Sequence, residues 1–266
     1  MESVSSTLSE PIIHRTAIVD PSARLAAGVV VGPYCVVGAD VELGPGCRLD
    51  SHVRLDGPLV AGPDNCFSHG AAIGGAPQDL KYAGGRTGVR IGAGNVFREF
   101  ATVNRAAVEG GNTVIGDRCL IMTYVHVAHD CAIGDRVILA NSVNLAGHVE
   151  VEEHAIVGGV TPIHQFVRIG RYAIVGGGSR VPKDMPPYFK AAGNPLRVVG
   201  PNSLGLARNG FPPEARRTIK EAFRLLYRSG LNVTQACARI REELEASPET
   251  THLLRFIERS HRGIVR

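Results

Sequence analysis

Starting at Ile13 and moving in steps of six, the chain meets an apolar residue at 26 of 29 positions before the series ends at Val181. The series runs from Ile13 through Val31, Leu49 and Phe67 to Ile73, breaks, resumes at Ile91, Phe97 and Val103, breaks again, and is then unbroken from Ile115 to Val181. A chain that is 44% hydrophobic would place only about half as many apolar residues there by chance. A helix needs apolar spacings of 3 and 4, and an amphipathic strand needs 2, so neither produces six. A coil with three flat faces does, one hexapeptide to a face, with the large aliphatic side chain pointing inward. The expected fold is therefore mainly β, a hexapeptide-repeat parallel β-helix. Residues 18 apart should stack one rung above another, about 4.8 Å away.

Four residues after most of these apolar positions stands a small or β-branched residue, among them Cys35, Val41, Cys47, Val53, Cys119, Val125, Cys131 and Val137. Four of the six cysteines thus share one repeating slot and no CxxC pair occurs, which favours buried core thiols over a disulfide framework or a zinc site. The two breaks, residues 77–88 and 106–112, are polar and contain glycine, as loops leaving the prism should be. Such loops either contact ligands or merely tolerate insertion, and composition alone gives the two readings similar weight.

Beyond Val181, Pro182, Met185-Pro-Pro-Tyr188 and Gly193-Asn-Pro195 turn the chain away from the prism. Residues 212–230 begin with proline, end with glycine and carry Ala215, Ile219, Ala222, Phe223 and Leu226 at helical spacing. Two more helices are expected near 233–246 and 248–260, covering the unpaired strand edges at the end of the solenoid. The domain plan is a polar segment over 1–12, a β-helix over 13–190 with its two loops, and a helical domain over 191–266.

The first ten residues have neither the basic nor the apolar region of a leader, and no apolar run is long enough to span a bilayer. A cytoplasmic protein without membrane insertion is the expectation. The net charge of +4 is uneven, with twelve Arg/Lys against seven Asp/Glu from Pro201 onward. A nucleic-acid binder would be more basic, with interleaved aromatics; this surplus suits an acidic protein partner or a phosphorylated ligand, and solvated helix faces account for most of it.

The densest group of reactive side chains lies in residues 120–165, where His126, His129, Asp130, His148 and His164 follow one another. A coil of 18 residues puts His129, Gly147 and Gln165 in one column and Asp130, His148 and Phe166 in the next. Histidine is the side chain suited to accept a proton near neutral pH, and a neighbouring carboxylate can orient it. Isolated histidines on a solenoid are more often surface or structural, the reading given to His14, His52, His69, His154, His252 and His261. Two competitors are a zinc hydratase built on His126, His129 and His148, whose spacing does not match such a site, and a scaffold without catalysis.

The segments Gln78-Asp-Leu-Lys-Tyr82, His126-Val-Ala-His-Asp-Cys131, Leu139-Ala-Asn141, Leu145-Ala-Gly-His148, Ile163-His-Gln-Phe166, Pro186-Pro-Tyr188, Gly193-Asn194 and Leu226-Tyr-Arg-Ser-Gly230 together resemble the acyl-carrier-protein:UDP-N-acetylglucosamine O-acyltransferase family of lipid A biosynthesis. The resemblance covers residues 13–266. It implies a left-handed β-helix with a C-terminal α-helical domain, a homotrimer with clefts between adjacent prisms, and no metal or other cofactor. The implied reaction moves an (R)-3-hydroxyacyl group from the thioester of acyl carrier protein directly to the 3-hydroxyl of UDP-N-acetylglucosamine. By the same resemblance His129 is the general base, Asp130 orients it, and the Gly147 N–H meets the oxyanion. Gln78, Asp79, Lys81, His126, His148, His164 and Gln165 correspond to substrate contacts. Asn202 and Arg208 correspond to contacts at the nucleotide end, and Gly176 and Gly177 to the acyl-chain groove, where glycine leaves room for a long chain. The column argument places Gly147 one rung from His129 without recourse to the family.

The chain departs from the family pattern at Asn104-Arg-Ala-Ala107, where many members carry His-Arg-Gly-Thr, and at Leu204 and Asn209, which are often acidic and basic. Some relatives acylate a 3-amino sugar to give an amide. These departures leave the acceptor atom, oxygen or nitrogen, open.

Overall fold

Each hexapeptide of the repeat folds as a short strand followed by a tight corner, because its large aliphatic residue is drawn inward while a small residue fills the bend. Ile138–Leu139, Asn144–Leu145 and Glu150–Val151 are one such turn of the coil. The computed structural model describes residues 10–266, and most of the polar segment expected at 1–12 lies outside the described residues. Every third strand joins the same sheet, giving three sheets of eleven, eight and eight strands, parallel throughout the solenoid, that form the faces of a left-handed β-helix. Ile121 pairs with Leu139 and Leu139 with Val157, the 18-residue register expected of three hexapeptides per rung.

The apolar series fills the prism: Val31, Leu49, Phe67, Ile121, Leu139 and Val157 are all at most 2% exposed. The cysteine slot is buried as well, and each thiol donates to a main-chain carbonyl, Cys35 to Asp50 at 2.9 Å, Cys119 to Gly134 at 3.1 Å and Cys131 to Ala146 at 3.2 Å. Burial pushes the Cys119 thiol up to about 11 and Cys131 to about 12. These cysteines are structural, because a nucleophile must reach the thiolate near neutral pH. Asn65 and Asn95 occupy the same slot on neighbouring rungs, where Asn95 Nδ2 donates to Asn65 Oδ1 at 2.9 Å inside the core.

The two breaks in the repeat can be counted in the register. Ala72 pairs with Thr102 and Leu59 with Val89, so the loop between strands Ala72–Gly75 and Gly88–Ile91 adds two hexapeptides to the rung. Thr102 pairs with His126, so the loop between Thr102–Asn104 and Asn112–Ile115 adds one. Gly88 and Asn112, placed in the loops by the sequence pattern, are the first residues of the strands that follow. Both loops leave from the corner between the second and third faces, and Asp130, His148 and Phe166 stack on that same corner.

The first sheet continues past the expected boundary at residue 190. Phe189–Ala192 pairs parallel with Ile174–Val175, then antiparallel with Arg197–Pro201, so the chain closes that sheet edge with its own hairpin. Helices begin only at α1, Ser203–Arg208, which is too short to show periodicity in the sequence. They continue as α2 Pro213–Tyr227, α3 Val233–Glu243 and α4 Pro248–Glu258. Capping boxes at Asn232/Gln235 and Ser247/Thr250 satisfy the first amides of α3 and α4. The buried face of α2 meets the hairpin through the Phe189, Phe223 and Tyr227 rings, and α4 sends His252 Nε2 to Glu152 of the solenoid at 2.8 Å.

Candidate active site

His129 and Asp130 occupy the end of the second face and the corner after it. Asp130 adopts φ 58°, a left-handed conformation that aspartate tolerates better than most side chains. That bend lets adjacent residues meet: His129 Nδ1 lies 2.7 Å from Asp130 Oδ2, with the two side chains only 14% and 11% exposed. One rung on, Gly147 lies beneath the imidazole. A Cβ at Gly147 would stand 2.5 Å from His129 Cε1 and 2.7 Å from Nε2, so glycine is required for the ring to lie there. Among the described residues the Gly147 N–H has no protein acceptor, whereas Ala146 and His148 donate to the Ile163 and His129 carbonyls. The His148 ring meets His129 edge-on at 5.2 Å, stacks on Phe166 at 4.5 Å, and brings Nε2 to 3.8 Å from Asp130 Oδ2.

Burial works against the charge on Asp130, but the hydrogen bonds from His129 and from the Ala107 N–H outweigh it and hold the carboxyl below the ordinary aspartate value. His126, at the start of the strand that leads into this corner, contacts Thr102 Oγ1 through Nδ1 at 2.8 Å. Burial, with help from the neighbouring His129, lowers its proton affinity, so His126 is neutral at pH 7. One donor atom each from His129, Asp130 and His148 lies within 4.8 Å of the others, close enough to bracket a cation. The 2.7 Å approach of Nδ1 to Oδ2 is instead that of a charge-assisted hydrogen bond, which leaves His129 Nε2 as the ring's free acceptor.

A cleft of about 970 Å³ lies over the second face, with loop residues 78–81 on one side. Gln78, Asp79 and Lys81 line it from the loop; His126, His129, Gly147, His148 and Gln165 line it from the solenoid. Asp79 organises the loop by accepting the Lys81 N–H at 2.9 Å. Five other residues singled out by the sequence are not brought into this cleft. His164 is exposed, with Nδ1 3.1 Å from the Gln165 carbonyl oxygen. Asn202 is buried as the cap of α1, accepting from Gly205 N–H and donating to the Tyr172 carbonyl, and Arg208 is exposed at that helix's end. Gly176 and Gly177 are packed at the last rungs, where a Cβ would come 2.9 Å from Ala192 Cβ and 3.1 Å from the Gly159 oxygen respectively.

Sequence reasoning missed the residues that hold the pair in place. Thr102 orients His126, Ala107 donates to Asp130 Oδ2 at 3.0 Å, and Thr113 Oγ1 accepts the Asp130 N–H at 2.9 Å. Their one signal was proximity to the breaks in the repeat. Asn104 is 7% exposed and anchors a loop by donating to the Ala76 carbonyl at 2.9 Å, while its buried Oδ1 has no partner among the described residues.

Two family models match the chain: bacterial transferase hexapeptide (six repeats) over residues 112–147, and UDP N-acetylglucosamine O-acyltransferase domain 2 over residues 184–265. The acyl-[acyl-carrier-protein]–UDP-N-acetylglucosamine O-acyltransferase of Thermodesulfovibrio yellowstonii is 48% identical over 96% of this chain and 99% of its own length. That of Trichlorobacter lovleyi is 52% identical, again over 96% and 99%. Among solved structures, the UDP-N-acetylglucosamine O-acyltransferase of Moraxella catarrhalis superposes with a TM-score of 0.92 at 42% identity, covering 96% of this chain and 99% of that one. The His129–Asp130 pair, the six-residue solenoid and its helical C-terminus therefore sit in a chain that belongs to the acyl-[acyl-carrier-protein]–UDP-N-acetylglucosamine O-acyltransferase family.

Proposed function

We propose that the chain transfers an (R)-3-hydroxyacyl group from acyl carrier protein to the 3-position of UDP-N-acetylglucosamine, the first step of lipid A biosynthesis. The observation that carries this reading is the 2.7 Å His129–Asp130 pair one rung from Gly147, in a chain so similar to named acyltransferases. Asp130 holds the Nδ1–H and leaves Nε2 to take the proton from the sugar hydroxyl as its oxygen attacks the thioester carbonyl. The negative charge that forms on the carbonyl oxygen is met by the Gly147 N–H. Collapse of that intermediate breaks the carbon–sulfur bond, and the proton held by His129 passes to the departing thiolate. The acyl group goes straight to the acceptor, with no cysteine or serine nucleophile and no metal in the path.

Gln78, Asp79, Lys81, His126, His148 and Gln165 bind the sugar and the acyl donor around the pair, and His164 borders them. Asn202, Arg208, Gly176 and Gly177, remote from the cleft of their own chain, serve the cleft of a neighbouring chain in a homotrimer. Asn202 does so by capping the helix that carries Arg208, whose guanidinium suits a diphosphate. The reaction is placed in the cytoplasm, where both substrates are soluble. Among the described residues no helix is long and apolar enough to cross a membrane.

The test incubates purified protein and chelator with UDP-N-acetylglucosamine, or its 3-amino analogue, and 3-hydroxyacyl carrier proteins of several chain lengths. Mass spectrometry should find an ester at the 3-hydroxyl. Acylation of the amine alone would move the acceptor to nitrogen, and transfer to neither sugar, or only after zinc is restored, would overturn the reading.

A further inference from the structure

We infer that the loop at 105–111 and Thr113 behind it form a cradle for the His129–Asp130 pair, with Thr113 as a positioning residue. Most corners of the solenoid share one contact: the left-handed residue donates its N–H to the carbonyl nineteen positions earlier, on the rung below, as Ser142 does to Thr123 at 2.9 Å, His148 to His129 at 3.1 Å, His154 to Asp135 at 2.8 Å, and Phe166 to Gly147 at 3.2 Å. At Tyr34 and Asp40, near the start of the solenoid, a hydroxyl eighteen positions earlier accepts instead, Thr16 Oγ1 at 3.0 Å and Ser22 Oγ at 3.2 Å. Nineteen before Asp130 is Gly111, but its carbonyl accepts from the Gly88 N–H at 3.0 Å, because the loop has displaced the rung there. The Asp130 N–H goes instead to Thr113 Oγ1 at 2.9 Å, and Thr113 is completely buried, so water does not compete for that bond.

The loop grips the other end of Asp130. Ala107 N–H donates at 3.0 Å to Oδ2, the oxygen that lies 2.7 Å from His129 Nδ1. The carboxylate is thus tied to the segment that breaks the six-residue period, and the main chain to Thr113 in the strand that follows it. A plain hexapeptide would restore the corner carbonyl but would lack the amide that reaches the carboxylate. The break is therefore part of the site, and its job is to fix the angle at which Asp130 meets the imidazole. Thr113 acts through Asp130 and touches neither substrate.

The inference rests on His129 acting as the base, and the experiment separates the two. Thr113→Val keeps shape and removes the acceptor; Thr113→Ser keeps the acceptor. Steady-state transfer, melting temperature and the downfield proton resonance of the His129 Nδ1–H are measured for both, beside His129→Ala. Thr113→Val should lose about tenfold in kcat, a fraction of what general base catalysis supplies, with KM for both substrates within about twofold and the Nδ1–H resonance weakened. Thr113→Ser should restore both. If the valine variant does not fold, Thr113→Cys, similar in size and a poor acceptor, carries the same expectation. Wild-type kcat and an unchanged resonance in a folded valine or cysteine variant, or a loss that serine does not restore, removes the cradle while an inactive His129→Ala leaves the base in place. Activity in His129→Ala removes both.

Discussion

All three corners of this solenoid carry stacked rings, His154 on Tyr172 at 4.6 Å being the pair at the third, but the two corners that flank the second face differ most, and only one of those carries a candidate site. Along the corner between the first and second faces, Tyr34, His52, His69, Phe100 and Tyr124 form a ladder with centroid separations of 5.0, 5.2, 5.3 and 5.3 Å. Along the corner between the second and third faces, His129, His148 and Phe166 do the same at 5.2 and 4.5 Å. The first ladder arises because identical corners recur on successive rungs; in the second, His129 at the end of the face meets His148 of the corner one rung on, and only His148 and Phe166 are identical corner positions. The first leaves its histidines exposed, with Ser51 as the side-chain partner of His69 at 2.8 Å. The second adds a carboxylate, a glycine beneath the ring, and both loops. A repeating fold stacks imidazoles wherever the sequence puts them; of these two corners, only the second also lies where the repeat is broken.

The largest expected effect separates the two ladders directly. His129→Ala should lower kcat by about a thousandfold, within the range for a general base, while His52→Ala and His69→Ala stay within about twofold. A melting curve confirms that all three remain folded, and an active His129→Ala would dissolve the distinction between the corners. The next effect compares glycines. Gly147→Ala puts a methyl 2.5 Å from the His129 ring, and Gly70→Ala puts one 2.6 Å from the Phe100 ring. The first should reduce kcat by about tenfold or more because the base is displaced. The second, at φ 71°, should cost about 1 kcal/mol of stability and leave turnover unchanged. Equal effects of the two substitutions on turnover would show that the clash is not specific to the site.

The smallest effect is on pH dependence. Burial and the neighbouring His129 lower the pKa of His126 in the folded chain. Its stabilising contribution is complete above the unfolded imidazole value of about 6.5 and is lost as pH falls through the lower folded value. The melting temperature should therefore drop between pH 7 and the acid side, and His126→Asn should shrink that drop, by less than about 5 °C. A slope unchanged in the variant would mean that His126 is not the titrating group. Asp130 makes no comparable contribution in this window, because its carboxyl is held below the ordinary value and stays ionised there.

Much of the site was legible because the repeat converts distance along the chain into height on the prism. His129 and Gly147, 18 residues apart, had to be neighbours once the period was recognised, and so did Asp130 and His148. What could not be read was everything contributed by the breaks. Ala107 lies in a break and Thr113 looks like an ordinary filler of the small-residue slot, and nothing local says that a displaced carbonyl leaves the Asp130 amide in need of an acceptor. Asn202 read as a substrate contact, yet it is buried as a helix cap, a role set by α1, whose six residues are too few to show a helical pattern. The hairpin that closes the first sheet escaped notice for a similar reason: the apolar series had ended, and Gly193 and Pro195 look alike in a linker and in a tight turn.

The sequence by itself determined the three-faced solenoid, the number of hexapeptides each loop displaces and the columns in which side chains stack, because these follow from a period that local sterics enforce at every step. Only the tertiary structure decided how Asp130 is held at the corner from which both loops leave, and which edges the C-terminal hairpin and helices cover. Those outcomes depend on hydrogen bonds between rungs and on contacts between residues far apart in the chain, and no repeating pattern encodes them.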